Sequence, residues 1–152
     1  MALSINTTAP DFTLPSTSGR DFSLRKDMAG KACIIYFYPK DFTPGCTREA
    51  CTFRDQHHEF AGLGIDVFGI SRDSIESHHK FKKEHELPFE LLSDRSGSVC
   101  KLYSALVPVL RVPKRITYLL DKDHKIVASY DSMFDAAGHI KKMVEKLKLA
   151  SD

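Results

Sequence analysis

Four cysteines occur in 152 residues, and two of them, Cys46 and Cys51, lie in one short stretch, YPKDFTPGCTREAC, Tyr38 to Cys51. Two prolines, a threonine and a glycine precede the first thiol. Proline and glycine interrupt regular structure, so Cys46 stands at a turn and not inside a strand. With Thr43 as N-cap, Pro44 takes the first helical position that it favours, and Cys46 falls in the first helical turn. Unpaired backbone N–H groups and the positive end of the helix dipole gather there. Both favour a thiolate, the nucleophilic and oxidisable form of the side chain. Cysteine redox or nucleophilic chemistry is what this placement suggests; an inert cysteine buried at a helix start is the plainer alternative.

Cys51 lies further along the same helix. Residues five apart on an α-helix are turned by about 140°, with Cα atoms roughly 8 to 9 Å apart. A disulfide requires less than about 7 Å. Either the two cysteines are unrelated, or the first turns must unwind for them to meet. The spacing also differs from the C-x-x-C of dithiol exchange sites. Cys33, inside an apolar run, and Cys100, beside Val99, read as small buried hydrophobes. A zinc site from Cys46, Cys51, His57 and His58 fits poorly, because adjacent histidines point about 100° apart on a helix. His78 and His79 read as a solvated pair and Glu49 as a surface carboxylate favoured by the dipole. Asp121 and Asp123 read as turn residues, since the Gly and distal Glu of an EF-hand loop are missing. No G-x-S-x-G elbow, Walker loop or dinucleotide fingerprint occurs.

The elements that must position Cys46 follow from periodicity. APDFTL and RDFSL flank PSTSG as a short hairpin. KACIIYFYP is almost continuously apolar, which suits a central strand covered on both faces. CTREACTFRDQHHEFAGL reads as one helix with Cys46, Ala50, Phe53 and Phe60 on a side and Gly62 as its stop. GIDVFGIS is a second buried strand. A polar helix capped by Asp73 or Ser74 follows, with Ile75, His78 and Phe81 on one side. Then come the strand FELLS, the helix GSVCKLYSAL, a Pro-punctuated loop, and the strands ITYLLD and KIVASYD. A closing helix from about Asp135 carries Ile140, Val144 and Leu147 as a stripe. Strands alternating with helices make this an α/β sandwich with a mixed sheet.

Composition narrows the function. The net charge of +2 comes without a basic block or an aromatic-interleaved basic stripe, so nothing favours nucleic acid. No run approaches the roughly 20 apolar residues of a membrane span, and the N-terminus lacks a secretory layout. So few cysteines point to a reducing, cytoplasmic setting, not to a disulfide scaffold.

With these residues laid out, YFYPKDFTPGCTREACTFRD resembles the peroxiredoxins, and most of all the peroxiredoxin Q branch, also called bacterioferritin comigratory protein. Pro39, Thr43 and Cys46 meet the motif Pro-x-x-x-Thr-x-x-Cys, and Cys51 meets the branch's resolving cysteine. APDFTL, FGIS with SHHKF, LLSD and RITYLLD match too, and Arg115 matches the family's active-site arginine. The resemblance runs from about Ala9 to Leu147. It implies a single thioredoxin-like domain over residues 1–152: a three-layer sandwich, its mixed β-sheet covered by helices on both faces, with an N-terminal β-hairpin extension. It implies an antioxidant peroxidase acting on hydrogen peroxide and organic hydroperoxides, with no metal, flavin or haem. Cys46 would become a sulfenic acid, Cys51 would close a Cys46–Cys51 disulfide, and thioredoxin or a similar thiol donor would reduce it. Arg115 would supply cationic donors to sulfur and peroxide. Thr43 would accept the peroxide hydrogen and donate to sulfur or oxygen. Pro39, lacking an N–H, would cover the thiolate. A monomer is expected.

Two departures stand out. His124 occupies a turn position where relatives often carry Gly, one expected to be left-handed. Cys100 leaves room for a second resolving thiol. A thiol–disulfide oxidoreductase on the same fold and a non-catalytic binding or chaperone module are the competing classes.

Overall fold

A computed structural model describes residues 2–131 together with residues 142, 145 and 146. The expected closing helix falls outside the described residues apart from those three, which are helical and exposed. The chain begins with an antiparallel hairpin, β1 (Thr13–Pro15) and β2 (Asp21–Ser23), which turns through left-handed Gly19. A single turn, α1 (Leu24–Asp27), leads to β3 (Cys33–Phe37). Next come α2 (Pro44–Asp55), α3 (His57–Gly62), β4 (Asp66–Ser71), α4 (Ile75–Glu84) and β5 (Glu90–Ser93). The described elements close with α5 (Ser98–Leu102), β6 (Ile116–Leu120) and β7 (Ile126–Asp131).

The main sheet has the order β5-β4-β3-β6-β7. β3 is its centre, parallel to β4 and antiparallel to β6, with Ile35 opposite both Phe68 and Tyr118. That position accounts for its unbroken apolar sequence, because all five residues are buried. Alternate side chains of a strand point to opposite faces, and each face of β3 has its own core. Cys33, Ile35 and Phe37 pack with Phe12, Phe22, Tyr103, Tyr118 and Cys100. Ile34 and Tyr36 pack with Cys46, Ala50, Phe53, Phe60 and Phe81. Full burial of a Phe is worth about 1.5 to 3 kcal/mol, so Phe53, Phe60 and Phe81 fasten α2, α3 and α4 to the second face. The sheet thus separates Cys33 and Cys100 from Cys46.

The expected long helix after Cys46 is interrupted. At Gln56 the backbone leaves helical geometry (φ −97°, ψ 2°), and the chain restarts as α3 through an i→i+3 bond from Glu59 N–H to the Gln56 carbonyl. The tightened turn sets the Phe60 ring against Phe53, with centroids 5.9 Å apart. His124 adopts the expected left-handed conformation at φ +61°. Its buried ring also bonds the Met28 carbonyl at 2.6 Å, which ties the β6–β7 turn to the end of α1.

Candidate active site

The loop between β3 and α2 carries the motif residues. Thr43 is the N-cap of α2 in extended geometry, Pro44 occupies the first turn, and Thr47 N–H makes the first helical bond to the Thr43 carbonyl at 2.8 Å. The Thr43 hydroxyl does not cap the helix; it donates to the Lys40 carbonyl at 2.9 Å. With its proton on that carbonyl, the oxygen lone pairs remain open to accept a hydrogen. Pro39 lies half-buried at the head of the loop.

Cys46 is the third residue of α2 and only 1% exposed. Arg115, just before β6 and itself buried, donates from Nη2 to Cys46 Sγ at 3.4 Å and from Nη1 to Glu49 Oε1 at 2.6 Å. A planar guanidinium makes both contacts at once because its N–H groups form a rigid fork. Gly45 leaves room for it: a Cβ there would stand 3.1 Å from Arg115 Nη2.

Glu49 corrects the expectation of a surface carboxylate. It is fully buried, because Cys46, Glu49, Ala50 and Phe53 share the inner face of α2. Burial pushes its carboxyl up to about 8, against the opposing pull of Arg115. Its Oε2 and the Tyr36 hydroxyl have no hydrogen-bond partner among the described residues. Tyr36 stacks on Phe53 with centroids 4.6 Å apart and lies so close to the sheet that a Cβ at Gly69 would come within 2.8 Å of its hydroxyl.

His78 is the second correction. His79 is exposed, but His78 is fully buried on the α4 face that also carries Phe81. Its Nδ1 lies 2.7 Å from Asp41 Oδ2 and its Nε2 lies 3.0 Å from the Leu92 carbonyl. Asp41 also accepts from Tyr38 Oη at 2.6 Å and Ser77 Oγ at 2.8 Å, while its own N–H donates to Asp73 at 2.9 Å. This network fixes the middle of the loop that ends at Thr43. It holds Phe42 in left-handed geometry (φ +66°), sparsely allowed for a residue other than Gly.

Cys51 sits half-buried in the intact helix, with Sγ 3.8 Å from His85 Nδ1. His57 and His58 belong to α3, beyond the break. Helical spacing carries the signal for both residues: Glu49 lies three positions after Cys46, and His78 lies three positions from both Ile75 and Phe81.

Burial, a helix start and a guanidinium on the sulfur together suit attack by that sulfur on an electrophile that develops negative charge. The AhpC/TSA family model matches residues 5–129. A putative peroxiredoxin bcp of Coxiella burnetii is 42% identical over 97% of this chain and all of its own length. A chloroplastic peroxiredoxin Q of Sedum lineare is 43% identical over 93% of this chain and 76% of its own. Among solved structures, peroxidoxin BcpB of Mycobacterium tuberculosis superposes with a TM-score of 0.88 at 33% identity, covering 95% of this chain and 96% of that one. A mutant of Xylella fastidiosa PrxQ superposes with a TM-score of 0.89 at 27% identity, covering 100% and 99%.

Proposed function

The chain belongs to the AhpC/TSA family and is a thiol-dependent peroxidase, and from that premise we propose that Cys46 is the sulfur oxidised by peroxide and Cys51 the sulfur that resolves it. The observation carrying this reading is Arg115 Nη2 at 3.4 Å from a buried sulfur in the first turn of α2.

The Cys46 thiolate attacks one oxygen of the hydroperoxide. An S–O bond forms, the O–O bond breaks, and the second oxygen leaves as water or alcohol after taking a proton. Negative charge spreads from sulfur over both oxygens in the transition state, and donors already aimed at it provide the largest share of the acceleration. Arg115 and the first-turn N–H groups of α2 are those donors. The Thr43 oxygen, its own proton held by Lys40, accepts the peroxide hydrogen and orients the molecule. Pro39 shields the sulfur without offering a competing N–H.

Cys51 then displaces hydroxide from the Cys46 sulfenic acid to form the disulfide. Two residues five apart in an intact helix lie about 8 to 9 Å apart at Cα, so the first turns of α2 open for this step. A thiol reductant completes the cycle, and a thioredoxin-type dithiol suits an intramolecular disulfide because both of its sulfurs are used in the exchange.

A non-reducing peptide map after one equivalent of hydrogen peroxide tests the pairing. A Cys46–Cys51 peptide is expected, with faster amide exchange over residues 47–53 in the oxidised protein. A Cys46–Cys100 peptide, or unchanged protection over that segment, would contradict the reading.

A further inference from the structure

Cys51 has a titratable neighbour that the peroxide step does not use. His85, directly after α4, places Nδ1 3.8 Å from Cys51 Sγ. Two other contacts hold it there. Arg54, one turn beyond Cys51 on α2, donates from Nη1 to the His85 carbonyl at 2.8 Å. The fully buried Phe81 meets the imidazole edge-on, with centroids 5.1 Å apart and planes at 70°. Among the described residues, the charged groups near the pair include Arg54, which interacts with the Cys51 sulfur, and Asp55 and Glu86, which interact with Arg54.

A thiol becomes an effective nucleophile only once its proton is gone. Cys46 has the Arg115 guanidinium bonded to its sulfur and stands at a helix start; Cys51, in mid-helix, has neither, and Arg54 is its nearby cation. What it has besides is an imidazole within reach, the arrangement of a nucleophile beside its base. We propose that His85 is the general base of the resolving step, an inference that rests on the reading of Cys51 as the resolving thiol. His85 Nδ1 takes the Cys51 proton while α2 is closed, and the helix then opens and delivers a thiolate. The Cys51 sulfur forms the S–S bond as the S–O bond of the Cys46 sulfenic acid breaks. The departing hydroxide takes up a proton and leaves as water, and His85 returns its own proton to solvent. Oxidation at Cys51 is balanced by reduction at Cys46, so no outside oxidant or reductant enters. The contact is made with α2 closed, so in this scheme proton removal precedes the motion.

Two arms test this. In the Cys46→Ser protein, iodoacetamide modification of Cys51 is followed against pH with and without His85→Asn. The variant should react several-fold more slowly near neutrality, with the gap closing in alkali. In protein with all four cysteines, rapid quench and mass spectrometry follow sulfenic acid formation and disulfide formation after one equivalent of hydrogen peroxide. The ratio of the second rate to the first should fall about tenfold or more in His85→Asn. Added imidazole should restore it in His85→Ala, which a merely structural role would not allow. His79→Asn, an exposed neighbour on α4, is the control, and His85→Gln replaces the Asn variant if that one fails to fold. An unaltered ratio, or alkylation indifferent to His85, overturns the base and leaves Cys51 as the resolving thiol. A Cys46–Cys100 product in the unmutated protein overturns the resolving assignment and His85's role with it.

Discussion

Cys46 and Cys100 occupy the same place in two different helices. Each is the third residue, one of α2 and the other of α5, and both are buried, at 1% and 0% exposure. The charged groups in closest contact with them differ in sign, although Arg72 acts on Cys100 from further off. Cys46 Sγ receives a hydrogen bond from Arg115. Cys100 lies beside the buried Asp94, whose carboxylate takes the Cys100 backbone N–H at 2.8 Å. Burial first, and Asp94 after it, push the Cys100 thiol well up. Cys33, on the same side of the sheet, is pushed up to about 12 by burial and then by Asp66. Burial silences a thiol by disfavouring its anion, and a helix start does not by itself undo that. What sets Cys46 apart is a cation bonded to its sulfur, held just ahead of β6 and 69 residues further along the chain.

The contrast breaks most sharply at the sulfurs themselves. Cys46→Ser should lower peroxide consumption by at least about 10⁴-fold, the scale of losing a covalent nucleophile. Cys100→Ser should leave the rate per folded molecule unchanged, because that residue lies across the sheet. A peroxide-consumption assay on both variants decides whether helix position or neighbouring charge marks the reactive thiol.

Arg115→Lys sharpens the comparison. It keeps the charge and loses the fork that reaches Cys46 and Glu49 together. Sulfenic acid formation, measured by rapid quench, should slow about 10²-fold, the usual cost of removing one donor to a developing charge. An undiminished rate would mean that a point charge suffices.

Glu49 gives the smallest effect. Its carboxyl rises from 4.5 to about 8 through burial, opposed by Arg115. A carboxyl raised in the folded state binds its proton more tightly there. Its stabilising contribution is therefore complete below about 4.5 and is lost as pH climbs to about 8. Across that window the Tm by scanning calorimetry should fall a few degrees more than in Glu49→Gln. Parallel curves would show a carboxylate held ionised by Arg115 throughout.

The strands were legible because β3 and β4 are covered on both faces and so read as apolar runs, and the start of α2 because Thr43 and Pro44 announce it. Glu49 and His78 depart from the sequence expectation for one shared reason. Both are of types that are usually solvated, and each had its burial offset by a partner distant in sequence: Arg115 for Glu49, Asp41 for His78. No Pro or Gly marks the break at Gln56, which reflects the packing of Phe53 against Phe60. In the sequence only family resemblance points to Arg115, since no local pattern ties residue 115 to residue 46.

One measurement asks most directly whether the guanidinium selects the thiol. The Cys51→Ser protein, in which a sulfenic acid on Cys46 has no partner five residues away, is treated with one equivalent of hydrogen peroxide and a sulfenic-acid-specific carbon nucleophile. Each cysteine is then read by mass spectrometry. The label is expected on Cys46, with Cys33 and Cys100 unmodified. Label on Cys100, or label shared evenly among the buried thiols, would contradict the account.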